Sequence, residues 1–132
     1  MSTSYKLIYS SEDKKEVESF LNKAGIEFDD LKFPSVVARR GREVIGVIGT
    51  VPSDRAVIAG PIHVEVNGNQ SFVLKNLITA YERILQRAGV TVYNFSLKED
   101  NKKFLDTLER LPGLTSKNGD VKDGVIWFKR QL

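Results

Sequence analysis

Cysteine is absent from this chain and histidine occurs once, at position 63. The first absence excludes disulfides and thiolate chemistry, and together they leave no Cys/His set with the spacing of a zinc site. Long apolar runs are missing too. Nothing approaches the roughly 20 apolar residues needed to cross a bilayer, and residues 1–4 lack the positive and apolar regions of a signal peptide. The expectation is a cytoplasmic protein with no membrane anchor and no metal. The Walker lysine motif and the dinucleotide glycine fingerprint are also absent, which argues against nucleotide hydrolysis and hydride transfer.

Charge of one sign is in short supply: 20 basic side chains face 17 acidic ones, for a net charge of +3. That excess can steer a phosphorylated ligand but is weak support for nucleic acid. The densest basic run, Arg39, Arg40 and Arg42, is broken by Gly41 and followed by Glu43. With no interleaved aromatic to stack on a base, it reads as a solvated strand end, and nucleic acid is not an expected partner.

What is present is enough for one core. A chain of 132 residues with 41% hydrophobic content predicts a single domain over 1–132. Residues 5–9 read as a strand, and Ser10 or Ser11 can cap a helix carrying Val17, Phe20, Leu21 and Ala24 at helical spacing, stopped by Gly25. Residues 26–35 mix acids with Phe28, Leu31, Phe33 and Pro34 and read as an irregular crossover holding one helical turn, the aromatics Phe28 and Phe33 lying over the core. Residues 36–40, 43–51 and 56–66 form an antiparallel meander with reversals at Gly41-Arg42 and at Pro52-Ser53-Asp54-Arg55. Gly46, Gly49 and Gly60-Pro61 interrupt it, predicting bulges or a bend beside a cavity.

From Gln70 the period becomes helical to residue 89, with Phe72, Leu74, Leu77, Ile78, Tyr81, Ile84, Leu85 and Ala88 on one face. A strand over 90–95, extending to Ser96, and a helix over 99–111 follow. The turn Asn118-Gly119-Asp120 and a strand over 125–129 close the chain. The strand-helix-strand order demands a crossover, which would be right-handed for a parallel pair. The fold class expected is α/β, or α+β, with a mixed, mainly antiparallel central sheet and flanking helices.

Two segments carry a candidate site. The polar turn Asn67-Gly68-Asn69 with Gln70 and Ser71 opens the long helix beside a strand end, a place suited to phosphate because helix N-terminal amides and the dipole favour an anion. Asn101-Lys102-Lys103-Phe104-Leu105 opens the next helix. This order of elements, with these two helix starts, resembles the GCN5-related N-acetyltransferase superfamily, particularly its reduced bacteriophage-encoded members. The resemblance runs from residue 36 to 128 and covers 1–35 loosely. It implies an acyl-CoA N-acyltransferase-like fold, with Asn67, Gly68, Asn69, Gln70, Ser71 and Asn101 binding acetyl coenzyme A. It departs from the family pattern where a second turn glycine is missing and where Leu105 stands at the place of the usual tyrosine acid.

Acetylation of an amine needs a proton acceptor, donors that polarise the thioester carbonyl and an acid for the departing thiolate. Glu65 is the candidate base and His63, two residues away on the same strand face, the candidate relay; Tyr93 is the candidate acid. Each also has a plainer reading: a solvent-facing strand carboxylate, a hydrogen-bonded histidine and a packed strand tyrosine. Asn94 can bind the pantetheine arm, as can Asn101, which can equally cap its helix. The function expected is transfer of an acetyl group from acetyl coenzyme A to a small-molecule or protein amine. The alternative is a catalytically inactive relative acting as a binding or phage-virion-associated protein; a protein partner or a homodimer is open under either reading.

Overall fold

Side-chain alternation along the central strands decides which helix covers which face. The computed structural model describes residues 2–65, 70–98, 102–119 and 121–132. Along the chain it contains β1 (Thr3–Leu7), α1 (Ser11–Lys23), β2 (Lys32–Arg40), β3 (Glu43–Val51), β4 (Ile58–Val64), α2 (Gln70–Arg87), β5 (Val92–Lys98), α3 (Lys103–Glu109), β6 (Leu114–Lys117) and β7 (Val125–Gln131). The strands form a sheet ordered β1-β2-β3-β4-β5-β7-β6. Among the described residues only β4 and β5 pair in parallel; the other neighbours are antiparallel. This is the mixed, mainly antiparallel α/β fold expected, including the parallel crossover through α2.

Val37 and Val47 join Val17 and Leu21 of α1 and Leu31 in a small apolar cluster. One residue out of phase, Val36, Ala38 and Ile48 face the opposite side. There Leu77, Tyr81 and Leu85 of α2 and Phe104 and Leu108 of α3 pack with Tyr93, Phe95 and Phe128 in the larger cluster. Strands β2 and β3 are thus buried on both faces, which explains their near-continuous apolar runs. On the α1 side, by contrast, Ser96 and Lys98 of β5 and Trp127 of β7 are exposed.

Two buried polar networks tie α2 to the sheet. Arg130 of β7, 1% exposed, donates from Nε to Glu82 Oε2 at 2.8 Å, from Nη2 to Glu82 Oε1 at 3.2 Å and to the Pro112 carbonyl at 2.7 Å, and from Nη1 to Thr115 Oγ1 at 3.1 Å. The Tyr93 hydroxyl donates to Glu82 Oε2 at 2.7 Å. One guanidinium therefore links α2, β6, β7 and the turn after α3, with its charge matched and its donors used. In the second network the Thr50 hydroxyl meets the Pro34 carbonyl and lies 2.8 Å from the Tyr81 hydroxyl. Burial pushes the Tyr81 phenol up to about 12.

Several boundaries differ from expectation. β1 begins two residues early and leaves Tyr9 84% exposed, because the ladder with β2 ends at Leu7↔Val36 and Ser10 is already the cap of α1, accepting from the Asp13 amide at 3.1 Å. The crossover contains no helical turn; β2 starts at Lys32, paired with Thr50, and Pro34 is accommodated at a register irregularity between Lys32 and Val36. Phe33 is 65% exposed and does not cover the core, whereas Leu31 is buried. Arg39 is a clamp rather than a solvated strand end: it pairs with Asp13 at 3.0 Å and Glu16 at 2.7 Å on α1.

Removing Arg130 would strand a buried carboxylate. Arg130→Met should lower stability by about 3–5 kcal/mol in urea unfolding monitored by circular dichroism; a loss below about 1 kcal/mol would show that the network does not carry this weight.

Candidate functional site

The site begins where two neighbouring strands part. β4 and β5 share a single register pair, Ile58↔Asn94, supported by the Asn94 amide donating to the Val57 carbonyl at 2.8 Å. Beyond it they diverge. The cause lies on the other edge of β4: between Thr50↔Ala59 and Ile48↔Ile62 only Gly49 on β3 faces both Gly60 and Pro61, a bulge that bends β4. Gly49 is required there, since a Cβ would sit 2.8 Å from Leu31 Cδ2 and 3.1 Å from the Gly60 carbonyl oxygen. Gly60 itself has φ +150°, and Pro61 has no amide hydrogen to offer the ladder. The bulge predicted from these glycines is therefore present, and the cavity predicted beside it is the cleft between β4 and β5.

That cleft measures about 940 Å³ and is walled by β4, the end of β5, the first turns of α2 and α3, Trp127 of β7 and the loop before β2. Antiparallel pairing determines what β4 presents to it. The Glu65 amide donates to the Ile45 carbonyl at 2.8 Å, so the hydrogen-bonding groups of Glu65 and His63 point toward β3, and by alternation those of Ile62 and Val64 point toward the cleft. The Val64 carbonyl accepts there from Gln70 Nε2 at 3.3 Å.

One end of the cleft is basic. Gln70 opens α2, whose first turn has no acidic residue, and Lys103 Nζ donates to Gln70 Oε1 at 2.7 Å. Lys98 and Lys103 line the cleft, and an adjoining hollow of about 140 Å³ is bordered by Ser71, Lys75, Lys103 and Arg110, with Asp106 the one acid among its lining residues. A helix N-terminus with side-chain cations around it suits a phosphorylated ligand. These residues fit the phosphates of coenzyme A, and the groove between the strands fits an extended arm.

The structure separates the other residues singled out from sequence. His63 lines the cleft, half-buried, with its ring 5.4 Å from Phe20 of α1. Burial pushes the imidazole below its ordinary 6.5 and outweighs the opposing pull of the Glu65 carboxylate. Glu65 is exposed just past the end of β4 and is not among the residues lining the cleft. Tyr93 corrects the expectation of a hydroxyl near the cofactor: it is fully buried on the α2 face, bonded to Glu82, and its phenol is pushed far up by burial first and by the Glu82 carboxylate next. Ser96, on the opposite face of β5, does line the cleft. Asn94 accepts from Asn118 Nδ2 at 3.4 Å. Asn67, Gly68, Asn69 and Asn101 lie outside the described residues.

Sequence reading missed Lys103 as a site cation and Trp127 as a wall of the cleft. A signal existed for the second: along β7, Ile126, Phe128 and Arg130 alternate with Val125, Trp127 and Lys129, and the first set faces the core.

No family model and no curated protein matches this sequence. Solved structures do match it in fold. An acetyltransferase of the GNAT family from Streptococcus pneumoniae superposes with a TM-score of 0.74 at 10% identity, over 98% of each chain. The diaminobutyrate acetyltransferase EctA from Paenibacillus lautus, in complex with L-2,4-diaminobutyric acid and coenzyme A, gives 0.71 at 15% identity over 98% of this chain and 95% of that one. The aminoglycoside 6'-N-acetyltransferase from Enterococcus faecium gives 0.71 at 14% identity, over 99% and 97%. The chain therefore has the acyl-CoA N-acyltransferase-like fold of the GNAT acetyltransferases; phage origin or a reduced type finds no support in these matches.

Filling the space at the bulge should be costly. Gly49→Ala is expected to destabilise the protein by about 1–3 kcal/mol in denaturant titration, and stability equal to wild type would mean that Leu31 and the Gly60 carbonyl yield without strain.

Proposed function

We propose that this protein transfers an acetyl group from acetyl coenzyme A to an amine. The observation that carries the reading is the parting of β4 and β5 into a cleft that ends at the basic N-terminus of α2. The fold is that of enzymes whose names state the same chemistry, among them two that act on amino compounds.

Gln70, Ser71, Lys103 and, in the adjoining hollow, Lys75 and Arg110 would hold the phosphates, together with Asn67, Gly68, Asn69 and Asn101. When bound, acetyl coenzyme A supplies a thioester whose C–S bond breaks as the new C–N bond forms. Ile62 and Val64 direct main-chain N–H groups into the cleft, where they can polarise the carbonyl oxygen as charge develops. His63 takes the proton lost by the acceptor nitrogen, directly or through water, and Glu65 stabilises the imidazolium that results. Among the described residues no tyrosine lines the cleft, so solvent is left to protonate the thiolate. That same lack favours a second reading, a catalytically silent binding protein, whether partner-bound or virion-associated, which would bind the cofactor without turnover or not at all.

Burial lowers the imidazole's affinity for a proton and so favours its neutral form. The kcat/KM for acetyl-CoA-dependent release of coenzyme A should rise with pH along an acidic limb whose apparent pKa lies below 6.5, and His63→Gln should lose that limb along with about 100-fold or more of the rate. A His63→Gln protein with an unchanged profile would remove His63 from the reaction. Wild type that binds acetyl coenzyme A but turns over no amine would favour the silent reading.

A further inference from the structure

The two edges of the sheet, β1 and β6, are built differently. β6 is guarded: it has four residues, Pro112 stands shortly before it, and its outward side is short. The Asn118 amide donates to the Trp127 carbonyl at 2.9 Å, so Leu114 and Ser116 also turn their main-chain groups to β7, and only Thr115 and Lys117 face outward. β1 has no such guard. Its ladder with β2 runs from Thr3↔Arg40 to Leu7↔Val36 without a register shift, and it contains no proline. The Ile8 amide donates to the Ser35 carbonyl at 2.8 Å, and the Gly41 amide to the Ser2 carbonyl at 3.5 Å. Ser4 and Lys6 therefore bond β2, while Thr3, Tyr5 and Leu7 direct their N–H and C=O groups away from the sheet. Among the described residues those outward groups have no main-chain partner.

We propose that β1 is an interface with a second copy of this chain, paired antiparallel about a two-fold axis at Tyr5 so that one sheet runs through both molecules. Backbone direction and charge select this register. Outward groups must meet outward groups, so Thr3, Tyr5 and Leu7 can oppose only one another. A two-fold centred on Ser4 leaves Leu7 with no opposite in β1, and one centred on Lys6 leaves out Thr3 and sets two lysines face to face. Centred on Tyr5, Thr3 lies opposite Leu7 of the second copy and Tyr5 opposite Tyr5, which bonds every outward group of β1. Lys6, the one charged residue of β1, is exposed and here meets Ser4 of the second copy instead of another lysine. Leu7, which joins neither apolar cluster, gains a neighbour in Thr3 of that copy. β2 and β3 separate this edge from the cleft, so the inference stands apart from the acetyl-transfer reading.

Light scattering of the whole chain over a concentration series should show the mass rising from 14.8 kDa toward twice that value, with half-association between about 1 µM and about 1 mM. A mass that stays at the single-chain value throughout would overturn the interface. Thr3→Pro removes one outward N–H and no bond to β2, and should weaken association about ten-fold; association unchanged by it would mean that the copies meet through another surface. Because the chain has no cysteine, single introduced cysteines report which residues oppose each other. Under a mild oxidant a mixture of the Ser4→Cys and Lys6→Cys proteins should cross-link, since the two Cα atoms are about 4.5 Å apart in this register. Either variant alone, its two cysteines offset by two residues, should cross-link about ten-fold more slowly or less. Self-cross-linking of either one as fast as the mixture, in proteins whose circular dichroism matches wild type, would overturn the two-fold at Tyr5.

Discussion

The function proposed for this protein depends on one short contact, the pairing of β4 with β5 at Ile58 and Asn94 and nowhere beyond. A parallel ladder extended along both strands would seal the sheet and leave the main-chain groups of Ile62 and Val64 bonded. The bulge at Gly60-Pro61 prevents this by bending β4 away, and the bend is tolerated because Gly49 has no side chain to oppose it. The cost of an interrupted ladder is offset elsewhere: α2 is fixed to the sheet by the Arg130, Glu82 and Tyr93 network and by the Tyr81–Thr50 contact. A helix anchored at its middle can then present its first turn to the opening.

The same geometry brings charged groups to the cleft. Cations gather where α2 and α3 begin, around Gln70 and Lys103, and the loop after α1 adds Glu27, Asp29 and Asp30 to the lining. His63 lies between a hydrophobic neighbour, Phe20, and a carboxylate, Glu65. Burial prevails over the carboxylate and lowers the affinity of the imidazole for a proton, which favours its neutral form.

Much of the fold was legible in the sequence because its signals are local. The glycine interruptions in β3 and β4 announced the bulge, and the 3.6-residue period marked α2. The crossover was harder. Whether residues 32–35 extend β2 depends on a distant partner, Thr50, and no local pattern encodes that pairing. The site was read in part for a related reason. Strand alternation put His63 and Glu65 on one face, but it could not say that β4 ends between them or that Tyr93 faces α2, because the facing of β5 is set by Phe95, Phe128 and Arg130 from elsewhere in the chain. Trp127 and the acidic loop belong to the cleft only through three-dimensional closure.

The most direct measurement is backbone amide NMR of the labelled protein on addition of acetyl coenzyme A. The account predicts that the largest shifts fall on Ile62 and Val64 and on Gln70 and Ser71 at the start of α2, with core amides such as those of Tyr93 and Phe95 shifting least. Saturating ligand that leaves these amides unmoved, or that moves a different surface, would contradict the cleft as the acyl-donor site.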